Sequence, residues 1–299
     1  MSRTIRIGTR GSDLALWQAD HVFDLLNRMG HEVEITVIKT KGDKITDLSF
    51  DKIEGKGFFT KEIEDRLLTS EIDLAVHSYK DLETEQPDGL RVAATLERGV
   101  TEDILLIRTE KLQQNGALGL AEGAIVGTSS VRRKAQLQSV DEKVVVKDLR
   151  GNVPTRIAKL RAGEYDAIVL ARAGVERLEL NVEDLTTLIL DPREFIPAAA
   201  QGALALQIRS EDVGLQSILE QVNHGDTAEC VGFERMLLNK MDGGCHLPLG
   251  ASCIKEDSKF SMQVFYADQV QGPAGFFQIE GSKSEMVEGI ENLVESLKS

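Results

Sequence analysis

Residues 4–40, TIRIGTRGSDLALWQADHVFDLLNRMGHEVEITVIKT, decide the fold. Ile5 and Ile7 alternate in a short strand that ends in the turn Gly8-Thr9-Arg10-Gly11-Ser12. Ala15, Ala19, Val22, Leu26 and Met29 then recur at helical spacing as far as Gly30, and Val33, Ile35 and Val37 alternate again. Strand, helix, strand is a βαβ unit. It places the loop after the first strand, together with a helix amino terminus, at the carboxyl edge of a sheet.

The pattern continues outward from there. Lys41–Gly57 lacks periodicity and reads as a lid or a loop, followed by a helix carrying Ile63 and Leu67. The strand of EIDLAVHSYKD ends in the polar run His77–Asp81, and RVAATL and ILLIR flank a crossing at Glu97–Thr101. A second α/β series begins near Ile104 with AIVGTSS, the strand KVVVKDL, the turn RGNVPTR and the strand YDAIVLA. Leu204, Leu206 and Ile208 alternate in a strand that can return to the first domain. After Leu219 come helix, the strands FSMQVFY and GFFQIE, and a last helix on Met286, Ile290, Leu293 and Leu297. The expected architecture is α/β. It has two periplasmic-binding-protein-like domains, 1–99 with 198–217 and 103–194, and a smaller α+β domain at 219–299.

Composition narrows the function classes. The chain has 299 residues, 41% hydrophobic and 28% charged, as in ordinary globular proteins. No apolar run reaches signal-peptide or membrane-span length, so a cytoplasmic protein is expected. Three cysteines, at 230, 245 and 253, make neither a disulfide framework nor a zinc pattern, and the five histidines include no HExxH pair, so no metal is expected. A net charge of −14 disfavours nucleic-acid binding and makes local arginine clusters conspicuous.

Two features stand out. The turn MDGGCHLPLG, residues 241–250, follows a helix that reads as starting at an Asp226/Glu229 capping box and stopping at Gly243-Gly244. Cys245 there is either a small residue in a tight loop or an exposed covalent attachment point. Elsewhere, Arg10, Lys52, Lys56, Arg132, Arg133, Arg150, Arg156 and Arg177 fall in turns or helix starts at sheet edges. Each alone reads as a solvated charge, whereas their shared placement suits a ligand with many carboxylates. Asp81, beside Lys80, either solvates a strand end or transfers a proton.

IGTRGSDLALWQA, EGKGFFTKE, VHSYKDL, GTSSVRR, LRGNVPTR, YDAIVLA, PAAAQGALAL and GGCHLPLG, in this order over residues 7–250, closely resemble the porphobilinogen deaminase (hydroxymethylbilane synthase) family. The resemblance implies a monomeric three-domain transferase of tetrapyrrole synthesis that joins four porphobilinogen units head to tail and releases ammonia. It implies a dipyrromethane cofactor, held through a thioether at Cys245, that serves as a retained primer. Carried over residue by residue, the resemblance makes Asp81 catalytic. It puts cofactor contacts at Ser12, Asp43, Lys80, Thr128, Ser129, Ser130, Arg132, Arg133 and Arg150. Substrate contacts fall at Arg10, Lys56, Phe59, Arg150, Arg156 and Arg177. No nucleic-acid or membrane partner is implied.

The sequence departs from the family pattern at Glu83, where proline is common, at Glu54, which replaces a glycine, and at Arg172, where a small apolar residue is usual. Arg172 could contact a carboxylate of the ligand or point to solvent. Two other readings remain open on the residues alone: a non-catalytic two-lobed anion-binding module, and a cysteine hydrolase using His246 as base.

Overall fold

The computed structural model describes residues 3–40, 60–113, 116, 118–243 and 247–299. The chain divides into two compact units. The described residues up to Gly99, with Gly202–Gly232, make the first, and Val100–Gln201 with Phe233–Ser299 make the second.

In the first unit, β1 (Ile5–Thr9), β2 (Val33–Val37) and β3 (Leu74–Ser78) run parallel, and β4 is Leu90–Thr95. The fifth strand, β10 (Leu204–Arg209), comes from much later in the chain and is inserted antiparallel between β3 and β4, giving the order β2-β1-β3-β10-β4. All six residues of β10 are buried, with Leu204, Leu206 and Ile208 on one side of the sheet and Gln207 and Arg209 on the other, which accounts for the alternation. Helix α1 (Asp13–Arg28) covers one face through Ala19, Val22 and Leu26, which pack with Ile7, Leu74, Val76, Leu206 and Ile208. Helix α2 (Lys61–Leu68) covers the other through Ile63 and Leu67, against Ile38, Ile72 and Ala75. Each such fully buried aliphatic side chain contributes about 1.5–3 kcal/mol relative to exposure.

Asp73, one residue before β3, clamps this sheet at its far edge. It accepts from Arg6 at 2.8 Å and Arg209 at 3.0 Å and pairs with Arg3. Burial would raise its pKa, but the three guanidinium groups overcome that and hold it well below the usual carboxylate range.

The second unit repeats the sheet pattern with different strands. Its strands are β5 (Asp103–Arg108), β6 (Ile125–Gly127), β7 (Val145–Lys147), β8 (Ala167–Ala171) and β9 (Leu185–Ile189), in the order β7-β6-β8-β5-β9. β6, β7 and β8 are parallel, and β5 is antiparallel to both its neighbours. Helices α3 (Val131–Val140), α4 (Val153–Arg161) and α5 (Arg172–Arg177) follow β6, β7 and β8 in turn. Strand β9 has no counterpart in the sequence reading. It is an edge strand with Leu188 and Ile189 exposed, so it lacks the buried alternation that marks a strand in sequence.

Helix α6 (Val213–Leu219) belongs to the first unit, and α7 (Gly225–Lys240) runs from the first unit into the second. The antiparallel sheet β11 (Leu249–Glu256), β12 (Lys259–Ala267) and β13 (Ala274–Gly281), with helix α8 (Lys283–Lys298), completes the second unit. Phe233 meets Phe260 edge-on at 5.0 Å, and Met286 and Ile290 are fully buried. Glu234, also fully buried, accepts from Cys253 N at 2.7 Å and Ala200 N at 2.6 Å, tying β11 to the segment before β10. Gly250 is required there, because a Cβ would lie 2.7 Å from the Ile196 carbonyl oxygen.

Two boundary expectations change. His224, rather than Asp226, caps α7, its Nδ1 accepting from Thr227 N at 3.3 Å. The helix ends on Asp242 at φ 52°, with Asp242 N and Gly243 N donating to Asn239 and Leu238 carbonyls, so the left-handed cap is an aspartate and glycine follows it. No described helix is long and apolar enough to cross a membrane.

Candidate active site

In the first unit the functional candidates sit in loops at the carboxyl ends of parallel strands. After β1, Ser12 caps α1, accepting from Ala15 N at 3.4 Å, and Arg10 is half-buried beside it in the turn. After β3, residues Tyr79–Asp81 form one 3₁₀ turn. Its start is anchored by Tyr79 N donating to Ala203 O at 3.0 Å, and Ser78 Oγ accepts from the buried Gln18 Nε2 at 2.7 Å. Asp81 is exposed at the end of this turn and makes no hydrogen bond or ion pair to any described residue, while Lys80 is half-buried.

The second unit presents its candidates at the matching strand ends. Thr128, Ser129 and Ser130 link β6 to α3. Thr128 Oγ1 accepts from Ser130 N, Ser130 Oγ caps the helix by accepting from Arg133 N, and Ser129 Oγ is spent on Leu149. Arg150 lies in the turn between β7 and α4, and Arg156, in the first turn of α4, reaches back with its Nε donating to Gly151 O at 2.7 Å. Arg177 ends α5, and burial pushes its pKa down.

Arg132 and Arg133 are both buried and converge on Asp103, Arg132 at 2.8 Å and Arg133 at 2.7 Å. Gln201 Nε2 donates to the same carboxylate at 2.8 Å. Burial opposes its ionisation, yet the two guanidinium groups hold its pKa well below the usual range. Two cations share one anion, and Nε of each arginine is buried without a hydrogen bond to any described residue. A carboxylate ligand would be stabilised by such an excess of buried positive charge. Asp103 escaped the sequence reading because one acid heading the apolar run ILLIR looks like a strand end.

Arg172 keeps a partly exposed side chain that is 29% accessible. It pairs with Glu102 at 3.2 Å and with Glu176 at 2.6 Å, one turn along α5, and so is engaged within the chain. Asp43, Lys52, Glu54, Lys56, Phe59 and Cys245, with His246, lie outside the described residues. Among the described residues no group of three or more His, Cys, Asp or Glu side chains could hold a metal ion.

A family model described as "Porphobilinogen deaminase, dipyromethane cofactor binding domain" matches residues 5–217. The porphobilinogen deaminase of Maridesulfovibrio salexigens is 46% identical over 268 residues, covering 89% of this chain and 85% of that protein. That of Oceanobacillus iheyensis is 44% identical over 250 residues, covering 83% and 79%. Among solved structures, an arginine-specific periplasmic binding protein of Salmonella typhimurium is similar at a TM-score of 0.44 and 12% identity, over 74% of this chain and 92% of that one. An ancestral cationic amino acid solute-binding protein gives 0.44 and 13%, over 73% and 87%. These structural likenesses are too distant to carry an argument about ligands.

Proposed function

Since the chain belongs to the porphobilinogen deaminase family, we propose that Asp81 is the proton-transfer group of its reaction and that Cys245 tethers its cofactor. The enzyme polymerises four porphobilinogen molecules head to tail into hydroxymethylbilane, with release of ammonia, on a dipyrromethane cofactor. The observation that carries the residue assignment is the Tyr79–Asp81 turn, which holds a carboxylate exposed at the carboxyl end of a buried strand.

The residues present suit the cofactor. Each pyrrole bears an acetate and a propionate, so the ligand offers carboxylates to guanidinium groups. Arg132 and Arg133, with their Nε atoms buried and unsatisfied by described residues, and Arg150 would hold those groups, while Thr128, Ser129 and Ser130 shape the turn beside them. When bound, dipyrromethane supplies the pyrrole carbon on which the product is built. Arg10, Lys56, Phe59, Arg156 and Arg177 bind incoming substrate, Phe59 by stacking on a pyrrole ring. Ser12, Asp43 and Lys80 complete the cofactor's surroundings.

Asp81 first protonates the aminomethyl nitrogen of porphobilinogen, making ammonia the leaving group. As a carboxylate it then stabilises positive charge on the pyrrole nitrogen and takes up a proton as the ring regains aromaticity. Such general acid–base help is typically worth ~10²–10⁴ in rate. We also read the enzyme as a cytoplasmic monomer with a three-domain division at 1–99 with 198–217, 103–194 and 219–299.

Intact mass of protein from a porphobilinogen-making host tests the tether. The expected result is a surplus of two linked pyrroles in the parent and none in Cys245→Ser. A surplus that survives the substitution moves the attachment elsewhere.

A further inference from the structure

The side of the first sheet that faces α2 carries a polar cluster that neither the chemistry above nor the apolar core uses. Gln207, in the middle of β10, is fully buried. Its Nε2 donates to Glu64 Oε1 on α2 at 3.0 Å and to Gln86 Oε1 at 2.8 Å. With both amide hydrogens committed, its Oε1 must accept, and it faces His77 Nε2 at 2.9 Å. His77 Nε2 therefore carries a hydrogen, as it does in one of the two neutral tautomers. Burial favours the neutral ring, pushing its pKa down to about 4.

The three partners of Gln207 come from three places. His77 is on β3, four residues before Asp81. Gln86 lies in the loop that leaves the Asp81 turn, and its own Nε2 donates to the Glu83 carbonyl at 2.8 Å. Glu64 is a buried carboxyl that also accepts from Thr60 Oγ1, at the start of α2, at 3.3 Å. The backbone makes room for this amide. β4 shifts register opposite Leu206/Gln207, so that Leu206 pairs with Ala94 and Gln207 with Val92, leaving Ala93 as an extra residue. A bulge re-aims side chains in this way and is a departure from the regular ladder that the core alone does not require.

We propose that Gln207 is a positioning residue of the active-site turn, gripping the strand that enters it through His77 and the loop that leaves it through Gln86. The proposal rests on the reading of Asp81 as the proton-transfer group. It follows from how that side chain is held. No described residue bonds to the Asp81 carboxylate, so its location is set by its backbone, and the backbone is fixed on both flanks to one buried amide. Proton transfer is sensitive to such placement, since a shift of about 1 Å can cost about 100-fold in rate. Ground-state binding through arginines on other elements does not depend on it.

The test is steady-state kinetics on cofactor-loaded protein, with loading verified by intact mass. Gln207→Leu, Gln86→Leu and Asp81→Asn are compared with the parent and with Met286→Ala, a core truncation on α8. We expect Gln207→Leu to lower kcat at least about tenfold with KM within about twofold, and Gln86→Leu to do the same more weakly. Met286→Ala should destabilise the fold and leave both constants near parental. A kcat within about twofold of the parent in Gln207→Leu overturns the proposal, and so does an equal kcat loss in Met286→Ala, which would mark general destabilisation. If Gln207→Leu does not fold, Gln86→Leu decides by the same criterion. Near-parental turnover in Asp81→Asn removes the Asp81 reading itself and the proposal with it. Loss in Asp81→Asn with none in Gln207→Leu sinks only the positioning role.

Discussion

Arg132 Nη1 lies 2.8 Å from the Asp103 carboxylate, and both side chains are buried. Because Arg133 shares that carboxylate, Asp103→Asn leaves two buried guanidinium groups without their counter-ion. The expected cost is about 3–5 kcal/mol by chemical denaturation. Breaking the exposed Arg161–Asp184 pair with Arg161→Ala should cost less than about 1 kcal/mol. Equal costs would mean that the buried cluster relaxes into water.

Asp81→Asn should fold, keep the adduct mass and lose turnover by ~10²–10⁴, because an amide fills the same space and cannot exchange a proton. Single-turnover assays check this by separating substrate binding, which should persist, from ammonia release, which should not.

The Asp73 clamp separates its arginines by exposure. Arg209 is 9% exposed and Arg3 54%, so Arg209→Ala should cost about 3 kcal/mol or more and Arg3→Ala less than about 1 kcal/mol. Urea midpoints of the two variants decide it.

His77 gives stability a defined acid dependence. In the unfolded chain it takes up a proton near pH 6.5, but in the fold only near pH 4, because burial penalises the charged ring. Between those values the unfolded state binds more protons, so this contribution is complete above about pH 6.5 and is lost as pH falls towards 4. The slope is at most about 1.4 kcal/mol per pH unit. Glu64 acts in the opposite sense. Burial raises its pKa, so its contribution is full below its ordinary value and declines as pH rises through the raised one. Urea midpoints from pH 4 to 7 should flatten in His77→Asn.

Cys230 and Cys253 are 5% and 2% exposed. If Cys245 carries the cofactor as proposed, the native protein should react with no bulky thiol reagent, whereas Cys245→Ser in urea should titrate two thiols.

The sequence revealed those parts of the fold where one residue type repeats at a fixed period against a single buried face. α1, β3 and β10 are of this kind: Ala19, Val22 and Leu26 share one helical stripe, and Leu204, Leu206 and Ile208 one strand face. Strand β9 was hidden because an edge strand need not alternate. The end of α7 was misplaced by a residue or two because Asp242 takes the left-handed position usually given to glycine. Of the basic candidates, Arg10 and Arg150 do lie in loops and Arg132 and Arg133 in the first turn of α3, whereas Arg156 lies within α4 and Arg177 ends α5 rather than starting a helix. What Arg132 and Arg172 pair with was not legible, since Asp103 and Glu102 lie far away in sequence. Gln207 was least visible of all, a single polar residue in an apolar run whose three partners come from different elements.

The insertion of β10 between β3 and β4 has a consequence for how the protein is made. Synthesis proceeds from the amino terminus, and β3 and β4 emerge long before residues 204–209 do. Until then the whole second sheet must be translated while the first keeps two open hydrogen-bonding edges. The Arg209–Asp73 bond, which spans 136 residues, cannot form before then. The amino-terminal half should therefore depend on chaperones at the ribosome, and a nascent chain arrested before Leu204 should aggregate even though all three parallel strands of that sheet are present.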